Sequence, residues 1–198
     1  MKDEAWLRAE TPATRRASTI QKPVVAAKLL KRAKSPVIVV GHEAAEGEGS
    51  RVPPEPGSSG GEGGPSGAEA PVLDSVIRIA RATGAPVIGT GGISRELGRR
   101  GFTTAIVMSA MEAGDRLMDG TWQPVPGKNP PDYAFFLGIP FPVASVIEAG
   151  LASFARSHLR VISLDRLYHP HCDLSFPNQS GEEWVKNLVA IAREVEKK

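Results

Sequence analysis

Apolar and polar positions follow two different periods along this chain, and the switches between them mark its elements. From Pro23 to Gly41 the sequence reads PVVAAKLLKRAKSPVIVVG. Val25, Leu29 and Leu30 form one stripe against Lys28, Lys31 and Arg32, which predicts an amphipathic helix. Pro36 biases Ser35 out of helical geometry, so the helix has to end before it. Val37 to Val40 is β-branched without alternation, the pattern of a strand covered on both faces of a parallel sheet. Ligands of such sheets collect beyond the carboxyl ends of the strands, so Gly41 points to the functional edge.

The same rhythm continues downstream. Pro71 to Thr83 predicts a helix with Pro71 in its first turn and Gly84 as its stop. Pro86 to Ile88 is a short strand closed by Gly89-Thr90-Gly91-Gly92. Short helices are expected at Ile93 to Arg100 and Ser109 to Met118; Thr104 to Met108 between them reads as a strand or as a helix start. An irregular Pro- and Gly-rich loop spans Thr121 to Pro131. Tyr133 to Leu137 is a strand, and Val143 to Arg156 a helix with Ala144, Ile147 and Leu151 turned inward. Leu159 to Leu164 is the last expected strand, and Gly181 to Lys197 the last helix, with Trp184, Leu188 and Ile191 inside. Strands separated by helices predict a single α/β domain, a doubly wound parallel sheet over residues 23–198, preceded by an arm over residues 1–22.

Glu43 to Ala70 breaks the pattern. It holds six glutamates against Arg51 and almost no large apolar side chain, so it reads as an acidic, Gly- and Pro-rich insertion at 43–70 without a core of its own. Much of the excess of glycine (21) and proline (17) falls there. The remainder of the 198 residues is ordinary for a globular chain, with 41% hydrophobic and 23% charged residues. No apolar run approaches a membrane span, and the amphipathic start MKDEAWLRAE lacks the apolar core of a secretory signal. A net charge of +2 without a long basic run argues against a nucleic-acid surface. One cysteine, Cys172, excludes an internal disulfide framework and a protein-held iron–sulfur cluster, and suits a reducing cytoplasm.

Candidate chemistry is sparse. Thr90-Gly91-Gly92 lies between a strand and a helix, where bare amides hold phosphates, but Ser94 stands where a dinucleotide fingerprint has its third glycine. Glycines that merely permit a tight turn explain it equally well. His169, His171, Cys172 and Asp173 are all metal-ligand types, yet adjacent ligands wrap one ion poorly and no second pair completes a site, so no metal is expected. Cys172 has no base and orienter to make it a nucleophile. His42 follows Gly41 with no partner in sight, and Asp165 closes the last strand, either as a hydrogen-bond acceptor for a ribose or neighbouring chain or as a cap on the next turn. Gly138-Ile-Pro-Phe-Pro142 is a stiff apolar turn on the same edge, suited to a protein contact or a ring-binding pocket.

Three segments, AAKLLKRAKSPVIVVG (26–41), DYAFFLGIPFPVAS (132–145) and ISLDRLYHPHCDLSFPNQSGEEW (162–184), resemble the epsilon subunit of the archaeal acetyl-CoA decarbonylase/synthase complex, the small subunit of its CO dehydrogenase component. Asp165, Tyr168, Pro170, Asp173 and Ser175-Phe176-Pro177-Asn178 carry the most specific part; His169, His171 and Cys172 stand outside that pattern, and the insertion at 43–70 departs from it. The first segment alone is also similar to the central domains of thiamine-diphosphate enzymes. The resemblance implies a Rossmann-like domain of the DHS-like NAD- or FAD-binding type. It also implies a non-catalytic role in the cytoplasm: stabilising a catalytic alpha subunit that carries nickel–iron–sulfur clusters, and assisting electron transfer to FAD. The complex cleaves acetyl-CoA reversibly and interconverts CO and CO2 in methanogens and related archaea. A weakly held FAD or NAD would then meet Gly41, His42, Thr90, Gly91, Gly92, Gly138 and Asp165, and the chain would form a homodimer. A stand-alone flavin- or nicotinamide-binding electron-transfer module is the alternative.

Overall fold

The computed structural model describes residues 16–45 and 71–197. The chain runs β1 (Ser18–Thr19), α1 (Pro23–Arg32), β2 (Pro36–Val40), a 3-10 turn (His42–Ala44), α2 (Pro71–Thr83), β3 (Val87–Thr90), α3 (Ile93–Arg99), β4 (Ile106–Met108), α4 (Ala110–Met118), β5 (Tyr133–Leu137), α5 (Phe141–Phe154), β6 (Arg160–Ser163), β7 (Leu174–Ser175) and α6 (Gly181–Glu196). Most of the 43–70 insertion and most of the 1–22 arm lie outside the described residues.

The seven strands among the described residues are all parallel, in the order β4-β3-β2-β5-β6-β7-β1. The chain winds outward one way from β2 through β3 to β4, then the other way from β5 through β6 to β7. Neighbouring β2 and β5 therefore flank the topological switch point of a doubly wound sheet. Every residue of β2 is buried because both faces are covered. Ile38, Val40, Phe135 and Leu137 face α1, α2 and α6, whereas Val37, Val39, Ala134 and Phe136 face α4 and α5.

Asp132 fixes the entry into β2. Its carboxylate accepts the Lys34 and Ser35 amides at 2.8 Å each, at the point where Pro36 ends α1. Within α1 the buried stripe is Ala26, Ala27 and Leu30 rather than Val25 and Leu29, because small side chains let the helix lie close to α6. Thr104 to Met108 resolves as the edge strand β4. Two short strands escape the sequence pattern. Ser18–Thr19, expected within the arm, pairs with β7, and the Tyr168 hydroxyl donates to the Ala17 carbonyl (2.7 Å). Two-residue strands have no periodicity to read, so only tertiary contact reveals them.

Candidate functional site at the carboxyl edge

Beyond Val40 the chain turns at Gly41 into the 3-10 turn, which lies directly on the turn after β5. Gly41 N–H donates to Leu137 O (2.9 Å) and Glu43 N–H to Gly138 O (2.9 Å). Ala44 N–H returns to Gly41 O (3.2 Å) and Ala45 N–H to His42 O (2.9 Å). A Cβ on Gly41 would sit 2.5 Å from the Gly138 carbonyl carbon, and one on Gly138 (φ 70°) would meet the Ala44 nitrogen at 2.5 Å. Both glycines are needed because two backbones touch here, leaving no room for a side chain.

Asp165, one residue past Leu164, seals the contact from β6. Its Oδ1 accepts the Gly138 N–H at 2.6 Å, while its buried Oδ2 has no hydrogen-bond partner and lies 3.9 Å from His169 Nε2. His169 Nδ1–H donates to Glu148 Oε2 of α5 at 2.8 Å, and the Phe141 ring lies tilted against the imidazole at a 4.8 Å centroid distance. Glu148 and His169 are 0% and 1% exposed. Burial lifts the Asp165 carboxyl to about 7; the Gly138 amide and His169 pull it down, and Glu148 and Glu43 push it up. Burial lowers His169, but the Glu148 hydrogen bond and the charges of Glu148 and Asp165 outweigh it and leave the imidazole raised. Burial, with nearby carboxylates, pushes the Cys172 thiol well up.

All three groups of this acid–imidazole–acid string are buried, which suits a role in holding β6, α5 and the loop after β6 together. The neighbouring hydroxyl, Ser175 Oγ, accepts the His169 backbone N–H (2.9 Å) and donates to the Phe176 carbonyl (2.9 Å), so it is not poised as a nucleophile. His169 and Cys172 both turn to Glu148, whereas Asp173 takes Arg156 (3.1 Å) and the Val161 amide (2.9 Å). Among the described residues no group of three or more His, Cys, Asp or Glu is arranged to hold a metal. Pattern reading does not single out Glu148. Its signal was available, since it is the one charge in the 14-residue apolar helix and falls four residues after the inward Ala144.

The seven expected cofactor contacts therefore separate. Gly41, Gly138 and Asp165 are buried against one another, and Thr90 is 6% exposed. His42, Gly91 and Gly92 lie at the surface. Gly91 (φ 60°) serves its turn, and a Cβ there or on Gly92 would meet nothing within 4 Å. A dinucleotide at a switch point needs outward amides after the first strand and room for its pyrophosphate. Here the amides of Gly41, Glu43, Ala44 and Ala45 are all taken by backbone carbonyls of this turn, of β5 or of the turn after it, which leaves none of these four free for a pyrophosphate.

The other notable feature of this half of the molecule is the outer face of α5. Its sequence, FPVASVIEAGLASF, has no charge except the buried Glu148, and Val143 (37%), Val146 (63%) and Phe154 (74%) stand exposed. Met111 of α4, 49% exposed, lies one turn before Gly114, which packs on Ile147 of α5. Five of the eight large exposed apolar side chains among the described residues, these four and Phe141, belong to α4 and α5. Exposed apolar patches of this kind are commonly contact surfaces in soluble proteins.

Sheet order, switch point and two-sided helical cover define a Rossmann-like doubly wound α/β domain. Residues 102–192 match the family described as CO dehydrogenase beta subunit/acetyl-CoA synthase epsilon subunit. The chain is 26% identical over 172 residues to the acetyl-CoA decarbonylase/synthase complex subunit epsilon of Methanothermobacter thermautotrophicus, covering 87% of this chain and 85% of that one. It is 25% identical to subunit epsilon 1 of Methanosarcina barkeri (84% and 82% covered) and 26% identical to subunit epsilon 1 of Archaeoglobus fulgidus (82% and 76% covered). The chain is thus similar to these archaeal epsilon subunits over most of its length. No helix among the described residues is long and apolar enough to cross a membrane.

Proposed function

We propose that the chain acts as the epsilon-type subunit of an acetyl-CoA decarbonylase/synthase complex. It is a non-catalytic cytoplasmic subunit that docks on the nickel–iron–sulfur alpha subunit of the CO dehydrogenase component and stabilises it. The observation that carries this is the charge-free outer face of α5, with Val146 and Phe154 open to solvent inside the segment that matches the family. Isolated chains would hide this face by pairing as homodimers, which the alpha subunit then displaces or extends. The support from the comparisons is that the similar proteins are each named as one subunit of a complex.

The test is co-purification of tagged chain with the alpha subunit from cells that express both. Val146→Asp with Phe154→Asp places two charges on the face without touching the core. The double variant should keep the wild-type melting temperature and lose the alpha subunit. Undiminished recovery of the alpha subunit with the double variant would refute docking through α5.

A further inference from the structure

We propose that Asp165 is a built-in occupant of the switch point, its carboxyl group taking the place that an anionic ligand would hold between β2 and β5, so that this crevice is closed to dinucleotides. In open α/β sheets the amides after the two flanking strands are the groups that receive a ligand phosphate. Here the amide after β5, Gly138 N–H, points instead at Asp165 Oδ1 (2.6 Å), and the amide after β2, Gly41 N–H, at Leu137 O (2.9 Å). The chain thus supplies its own acceptor at the position where its fold class binds ligand oxygens. Backbone contact between Gly41 and Gly138 fills the volume below, since a Cβ at either glycine would strike the other turn.

The second carboxyl oxygen supports the assignment. Asp165 Oδ2 is buried without a hydrogen-bond partner, a costly arrangement that a residue serving only as a turn cap would avoid by facing water. Asp165 stays in this place because β6 delivers it directly beneath the Gly138 turn. The charged and titratable groups around it are His169, Glu148, Glu43 and Cys172, none of which takes over the Gly138 amide. The proposal concerns ligand access at the carboxyl edge and does not depend on which subunit α5 contacts.

The experiment follows backbone amide signals of the whole chain by NMR during titration with FAD, NAD+ and inorganic pyrophosphate into the millimolar range. The expected result is no saturable shift at Gly41 or Gly138; shifts confined to Gly91 and Gly92 equally mean a closed switch point. Hydrogen exchange supplies the second readout. Asp165→Asn keeps an oxygen for the Gly138 amide and should leave that amide protected, whereas Asp165→Ala should speed its exchange by up to about tenfold, as for a lost hydrogen bond. Saturable shifts at Gly41 and Gly138 with any of the three probes would overturn the proposal. So would equal Gly138 exchange in the wild type and Asp165→Ala. If the alanine variant fails to fold, the wild-type titration decides alone.

Discussion

Replacing Gly41 with alanine tests the packing of the switch point directly. Gly41 has φ −100° and ψ 172°, extended backbone that alanine adopts freely, so the penalty is steric alone. The new Cβ would lie 2.5 Å from the Gly138 carbonyl carbon and 2.7 Å from Ile139 Cα, both backbone atoms that cannot swing aside. Overpacking of this kind costs about 1–3 kcal/mol. Separating the turns also weakens the Gly41 N–H to Leu137 and Glu43 N–H to Gly138 bonds, at about 1 kcal/mol each. The sum is roughly 3–5 kcal/mol, a fall in melting temperature of roughly 6–20 °C for a domain of this size. Gly91→Ala is the internal control. It has a positive φ of 60° but open space around it, so only the left-handed backbone cost of about 1–2 kcal/mol applies. Thermal unfolding followed by circular dichroism and calorimetry compares the two. A Gly41→Ala shift no larger than that of Gly91→Ala would refute the close contact between the two turns.

Two further outcomes follow from the buried groups and the strand entry. Asp165 has its carboxyl raised from 3.8 to about 7 in the fold, so the folded state holds this proton more tightly than the unfolded chain, and stability falls as pH rises across that window. His169, raised above 6.5, adds a contribution that is complete below 6.5 and is lost as pH climbs through its folded value, so both slopes have the same sign. The melting temperature should therefore be higher at about pH 5 than at about pH 8, and Asp165→Asn should flatten the acidic part of the slope; a wild-type profile that rises with pH contradicts this. Asp132→Ala removes the acceptor of two amides at the head of β2 and should cost about 2 kcal/mol by denaturant unfolding, with no cost if those amides are satisfied by water.

Much of the fold was legible because its strands are long enough to show a pattern. Val37 to Val40 and Tyr133 to Leu137 appear as β2 and β5, and the inward stripe Ala144, Ile147 and Leu151 is fully buried. Phe135 and Phe136 pack on opposite faces of the same strand, which is why an unbroken apolar run signalled a two-sided cover. The candidate site was legible only in part. Strand ends located Gly41, Gly138 and Asp165 at one edge, but not that they would contact one another. That depends on the register between β2, β5 and β6, which one strand's composition does not contain. His169 drew attention as a metal-ligand type, while its actual partner, Glu148, lies 21 residues earlier on a different element.

The central claim is that this chain docks through α5 on a larger subunit. Hydrogen–deuterium exchange of the full chain, alone and mixed with the nickel–iron–sulfur alpha subunit from the same source, measures it most directly. Slowed exchange confined to Phe141–Phe154 and the adjoining start of α4, absent in the Val146→Asp and Phe154→Asp double variant, is the predicted result. A complex that forms with those segments unchanged, or no association at all, would contradict it.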